Sequence, residues 1–209
     1  MFPTVETRWF GEGPVPRHVR AWLRAGDRQP EIQPARTDYY LRLPGNPALG
    51  IKTREGRIEI KQCIQVFGVI DFRASVVGVI EGWGKWSFGL DVAETYTSEM
   101  QAVPESWLGV IKERWLCKFK LEENDAVLAI PVRDFPAYGC NLELTRVEVE
   151  NLGETWWTLG LEAYGQGVDL YDLLRKVGMH VFAGENRPHL KLRDSYSYPQ
   201  WLSGVWGRN

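Results

Sequence analysis

The feature that most narrows what this chain can become is an alternation of charge and apolar bulk, clearest in "RIEIK", where Arg57, Glu59 and Lys61 stand in single file with Ile58 and Ile60 between them. Alternate residues of an extended strand share a face, so a period of two means one charged face and one greasy face. The same period returns in "TVETRWF", "DYYLRL", "LGIKTR", "ASVVGVIEGWGKWSF", "GVIKERWLCKFKL", "VLAIPV", "CNLELTRVEV" and "WWTLGLEAYG". Gly, Asn and Pro turns such as "PGNP", "REGR" and "ENLGE" separate the runs. Eight or nine antiparallel strands are predicted, with few helices.

Such strands can lie in an open sheet with the charged face in water, the common arrangement. Eight or more can also close into a barrel, which removes the exposed edges and turns one face inward. The charges to be placed are Glu6 and Arg8; Lys52 and Arg54; Arg57, Glu59 and Lys61; Glu81 and Lys85; Lys112, Arg114, Lys118 and Lys120; Glu143 beside Thr145; and Glu162. Mixed signs on successive strands favour a closed or nearly closed eight-stranded antiparallel barrel with a few helices outside. In it Arg57, Glu59 and Lys61 point into a lumen, and Ile58 and Ile60 point outward beneath a helix. Lysines and arginines lining a lumen can hold a polyphosphate through charge-assisted hydrogen bonds, and carboxylates among them can hold magnesium or manganese.

Composition limits the alternatives. The 209 residues suit one domain, 1–209, with an aromatic-rich tail from 183 to 209. A net charge of −2 carries no general attraction for polyanions, so nucleic acid is not an expected partner and any basic site is local. Cys63, Cys117 and Cys140 lack metal or redox spacing and read as reduced thiols, which suggests the cytoplasm. No apolar run reaches membrane-spanning length, and "MFPTVETRWF" does not resemble a signal peptide. Helices are predicted in "PRHVRAWLRAG" and "GVDLYDLLRKVGMHVF", the second with an apolar side of Leu170, Leu174, Val177 and Val181 for the outside of the barrel, and "TSEMQAVPESW" suggests a further turn. The tail "DSYSYPQWLSGVWGRN" is expected to lie across the body. "GVIEGWGKW" is not a phosphate-binding loop, because five residues separate Gly78 from Gly84 and Trp86 replaces the hydroxyl residue. His18, His180 and His189 have no ligand spacing, and no nucleophile elbow occurs.

The order of these motifs resembles the CYTH, or triphosphate tunnel, superfamily of adenylyl cyclases, thiamine triphosphatases and inorganic triphosphatases, over roughly residues 5 to 165. Of the family's opening Glu-x-Glu-x-Lys strand, "VETRWF" keeps Glu6 but has Arg8 and Phe10 at the next positions. Asp38 and Tyr40 match its Asp-x-Tyr strand, Lys52 half of its Arg-x-Arg strand, where Gly50 takes the other place, Lys61 its following lysine, and Lys112 and Arg114 its Lys-x-Arg strand. Glu143 and Glu162 fall at acidic positions of the closing hairpin, with Thr145 replacing an acid.

The resemblance implies a tunnel binding a triphosphate or another small phosphate compound, with one or two magnesium or manganese ions. Glu6, Glu143 and Glu162 would hold the metal and serve catalysis, while Arg8, Lys52, Arg54, Arg57, Lys61, Lys85, Lys112 and Arg114 would bind substrate. Arg8, set where the family has a carboxylate, would repel a cation or pair with Glu6 and Glu59, so weak or absent triphosphatase activity is expected. Three readings follow: a metal-dependent phosphohydrolase, a non-catalytic tunnel for an organic phosphate or nucleotide, and a structural barrel whose inner charges neutralise each other.

Overall fold

A computed structural model describes residues 1–73, 75–89, 103, 105–150 and 152–206. Nine strands form one antiparallel sheet: β1 Phe2–Glu12, β2 Glu31–Leu41, β3 Leu49–Arg54, β4 Arg57–Asp71, β5 Val77–Gly89, β6 Trp107–Leu121, β7 Val127–Ile130, β8 Tyr138–Val149 and β9 Thr155–Gly165. Their order is β2-β3-β4-β5-β1-β9-β8-β6-β7, and β2 also pairs with β6, so eight strands close on themselves and β7 extends β6 past the end of β2. The protein is a closed eight-stranded antiparallel β-barrel with an extra strand. The turn suggested by "TSEMQAVPESW" falls mostly outside the described residues.

Period-two patterning sorts the strands into an outer and an inner face. On β1, Val5 and Trp9 turn outward into the main core, with Cys117 and Phe119 of β6, Leu142 and Leu144 of β8, and Leu159 and Leu161 of β9. That layer is covered by two helices, α1 (Arg17–Leu23) and α2 (Leu170–Val181). α1 follows Pro16, which suits a helix start, and buries Val19, Trp22 and Leu23. α2 is capped by Asp169, whose carboxylate accepts from the amides of Tyr171 and Asp172, and it buries Leu173, Leu174, Val177, Gly178 and Val181. Gly178 is needed for close packing, since a Cβ there would stand 2.1 Å from the Phe72 ring. The predicted stripe is therefore displaced slightly, with Leu173 joining the buried side and Leu170 half-buried.

Two placements on β4 differ from the sequence reading. Arg57 lies at the exposed tip of the β3–β4 hairpin, where its Nε donates to Ser87 Oγ at 2.8 Å, so it is a rim residue outside the lumen. Ile58 and Ile60 are half-buried, and Ile60 borders the inner cavity. The physical reason is that α2 packs on β9, β1 and β8, meeting β4 further along through a Phe67–Tyr171 ring contact at 5.3 Å, while Ile64, Val66 and Val69 of β4 remain exposed.

The tail does more than cross the body. β5 pairs with β1 only from Phe2 to Glu6, leaving the rest of that β1 edge open. The tail takes this edge: Leu190 bridges Val76, Ser195 bridges Trp9, and the Tyr196 amide donates to the Arg8 carbonyl at 3.1 Å. The last helix, α3 (Tyr198–Trp206), then enters one end of the barrel. There Trp201, Leu202 and Val205 meet the inward residues Phe10, Tyr40, Val110, Val147, Val149 and Trp156 in a second apolar cluster. Phe10 is stacked by Tyr196 and Trp201, each at 5.1 Å. The barrel is thus plugged at one end by its own aromatic tail.

Candidate functional site

Between the plug and the opposite mouth lies a cavity of about 410 Å³. The described residues on its wall include seven cations, Arg8, Lys52, Arg54, Lys61, Lys85, Lys112 and Arg114, and four carboxylates, Glu6, Glu59, Glu143 and Glu162. Of the residues expected to hold metal or substrate, only Arg57 stands apart from it; Glu81, Lys118 and Lys120, named among the strand charges, are also absent from its wall. The charges are paired in three groups along the lumen.

The first group is built on β1, β4, β5 and β9. Register sets Glu6 directly opposite Glu162, a repulsive pairing of like charges unless a cation intervenes. Lys85 is that cation: its ammonium contacts Glu162 and lies 3.2 Å from Glu6 Oε1. Lys61 bonds the other oxygen of Glu6, and its ammonium sits 4.5 Å from the centroid of the Trp83 ring. Burial alone would push the Glu6 carboxyl up, but Lys61, Lys85 and Arg8 together hold it well below the usual carboxylate range.

In the second group Glu143 of β8 is clamped between two guanidiniums, Arg8 at 2.9 Å and Arg114 at 3.0 Å. Arg8 also donates to Thr158 Oγ1 at 2.9 Å and lies 5.1 Å from the Tyr198 ring centroid. Gly160, the cross-strand partner of Arg8, makes room for it, since a Cβ there would come within 2.8 Å of the guanidinium carbon. Arg8 was expected to face Glu6 and Glu59; its ion-pair partner is Glu143, because β8 lies next to β9 and presents Glu143 at the level where Gly160 leaves space. Burial raises the Glu143 carboxyl, and Arg114 and Arg8 overcome this to hold it at about 2.

The third group centres on Asp38, which is fully buried. Lys112 and Lys52 contact one of its oxygens at 2.9 and 3.0 Å, and Arg36 lies 3.2 Å from the other. Burial favours the neutral acid, yet these cations keep Asp38 far below the ordinary range. Lys52 reaches on to Glu59 at 3.2 Å, and Arg54 meets Glu59 at 2.7 Å. The rings of Tyr40 and Tyr198 flank the Lys112 ammonium at 4.6 and 4.1 Å.

Asp38 and Thr158 carry site roles that the sequence reading did not give them. Asp38 was matched only as part of the Asp-x-Tyr strand, and its site role could have been read there too, because "DYY" puts Asp38 and Tyr40 on one face as clearly as the other strands place their charges. Tyr198 could not, since its place depends on how the tail docks. Lys118 leaves the lumen altogether: its ammonium binds the carbonyls of Val132 and Asp134, both at 2.6 Å, where β6 has run past β2.

The implied divalent metal fits this donor set poorly. Among the described residues no three of His, Cys, Asp and Glu form a group able to hold an ion. Glu6 and Glu162 share Lys85, and Glu143 has each oxygen on a different guanidinium. A divalent ion would have to displace fixed cations from buried carboxylates. A comparison with known protein families finds none that matches the chain, and a comparison with curated proteins finds no match.

Proposed function

We propose that this chain is a CYTH-like barrel whose blind lumen binds a small phosphate compound, a triphosphate or an organic phosphate, through its lysines and arginines and without need of a divalent ion. The observation that carries the reading is the charge excess: seven cations against four carboxylates on one wall, with the nearby Asp38 matched by Arg36. A network built only to neutralise itself needs no surplus. The more open of these groups, Lys52, Arg54, Lys61, Lys85 and Arg114, can each turn an N–H to an arriving oxygen while keeping a carboxylate, whereas Arg8 and Lys112 are almost fully buried and hold Glu143 and Asp38 in place. Charge-assisted bonds in a partly dry lumen are stronger than in water. The carboxylates then act as holders that pre-position the cations, and the chemistry is capture and neutralisation of an anion.

The test is titration of tripolyphosphate against the protein, followed by calorimetry and melting temperature, with and without magnesium, and with phosphate release monitored in parallel. Saturable binding without magnesium, with little release, is the expected result. Lys52→Gln with Arg114→Gln should remove most of the thermal shift, because Asp38 keeps Lys112, Glu59 keeps Arg54 and Glu143 keeps Arg8, so the barrel stays paired. Fast magnesium-dependent release lost on mutation of Glu143 or Glu162 would instead favour the phosphohydrolase, with the metal on the closing hairpin. No binding at all would leave the self-neutralised barrel.

A further inference from the structure

The tail that plugs the barrel is also part of the wall of the charged cavity: Tyr198 and Pro199, at the start of α3, line it beside the cations. We infer that tail docking and anion capture are one coupled event, in which the lumen holds its anion only while the tail is in place and the anion in turn locks the tail. The inference rests on the phosphate reading above.

Three observations carry it. First, the tail is tied to the body at few backbone points. The Leu190 amide donates to the Ser75 carbonyl at 2.8 Å and its carbonyl accepts from Val77 at 2.9 Å. The Val79 amide donates to Ser195 Oγ at 2.9 Å, and the Tyr196 amide donates to the Arg8 carbonyl at 3.1 Å. α3 itself is held by packing, in the apolar cluster that contains Trp201, Leu202 and Val205. A segment with so few main-chain ties can open while the barrel stays folded.

Second, the tail grips the charge network of the lumen at Arg8. Besides the bond from Tyr196 to its carbonyl, the Tyr198 ring centroid lies 5.1 Å from the Arg8 guanidinium and 4.1 Å from the Lys112 ammonium. Arg8 holds Glu143, and Glu143 holds Arg114, one of the cations open to an arriving phosphate. On β3, Pro199 packs so close to Gly50 that a Cβ there would stand 3.1 Å from its Cγ, two residues from Lys52. Third, the plug makes the lumen blind. With the tail out, the cavity loses Tyr198 and Pro199 from its wall and water enters at both ends, and the attraction between fixed cations and a phosphate weakens as the surroundings become more polar. An anion that prefers the docked state favours docking to the same extent, by linkage.

Hydrogen exchange across residues 190–206 of the full chain, with tripolyphosphate as the probe, tests the coupling. In the free protein the tail amides should exchange faster than those of β8 and β9, through an opening of the tail alone. Tripolyphosphate should slow them in proportion to its concentration, about 100-fold at 100 times its Kd, because only the docked protein binds it. The double variant Lys52→Gln, Arg114→Gln should lose that slowing together with the binding. Tail amides no faster than the strands, or slowing that survives the double variant, would overturn the coupling. Tail exchange that ignores bound tripolyphosphate would overturn it too, while leaving the phosphate reading in place. Absence of tripolyphosphate binding would overturn both.

Discussion

At the scale of single residues, Arg8 governs what the lumen tolerates. It is 7% exposed, and its guanidinium stands against Glu143, which is also buried. Arg8→Glu would set two carboxylates against each other in place of a pair, and breaking a buried pair in this way costs about 3–5 kcal/mol, read as a lower urea midpoint. Rebuilding the family's opening strand with Phe10→Lys would add to the damage, since Phe10 is the ring on which Tyr196 and Trp201 stack. The same pairs set the acid response. Glu143 is held at about 2, and Glu6 and Asp38 are also depressed, against about 4 for such groups in an unfolded chain. A depressed folded value means stability that is complete above the unfolded value and is lost as the acid protonates. Stability should therefore be level above pH of about 5 and fall steeply toward pH of about 2, as followed by circular dichroism. An unchanged midpoint at pH 3 would contradict this.

At the scale of elements, the sequence was most legible where one face does one job. The alternation in "RIEIK" led to the inward Glu59 and Lys61, and the interval of three and four in "GVDLYDLLRKVGMHVF" led to α2. Arg57 escaped that logic because alternation says which face a residue takes and nothing about where the strand leaves the wall. The partner of Arg8 escaped it because strand neighbours come from closure of the sheet, which local pattern does not encode. α3 was legible only as an aromatic segment, since its burial depends on the lumen end it fills. For α2 the expectation is quantitative. Leu174 is fully buried beneath the helix, and Leu174→Asp, an unpaired charge in a core, should cost about 3 kcal/mol or more, measured as a lower melting temperature.

At the scale of the whole molecule, the net charge of −2 conceals a basic surplus on the wall of the lumen. Stabilisation by tripolyphosphate should accordingly weaken as sodium chloride rises from about 0.05 to 0.5 M, because the attraction toward the open mouth is screened over a Debye length of about 10 Å at 0.1 M. A thermal shift independent of salt would show that the anion is held by something other than these cations. No helix among the described residues is long and apolar enough to cross a membrane.

The closure of the barrel also orders events in time. β1 precedes the other strands of the barrel along the chain, yet it pairs Phe2 with Lys85 and Thr4 with Tyr164, so one of its neighbours does not exist until β9 has left the ribosome. The wall between β2 and β6 waits likewise, joining Tyr40 to Leu108. A nascent chain carries β1 with one edge unpaired and Trp9 without its cover until β9 emerges, the condition in which strand edges find the wrong partner. The many contacts between distant parts of the chain make for slow folding, and the lumen with its full set of charges is assembled only after the last strand arrives.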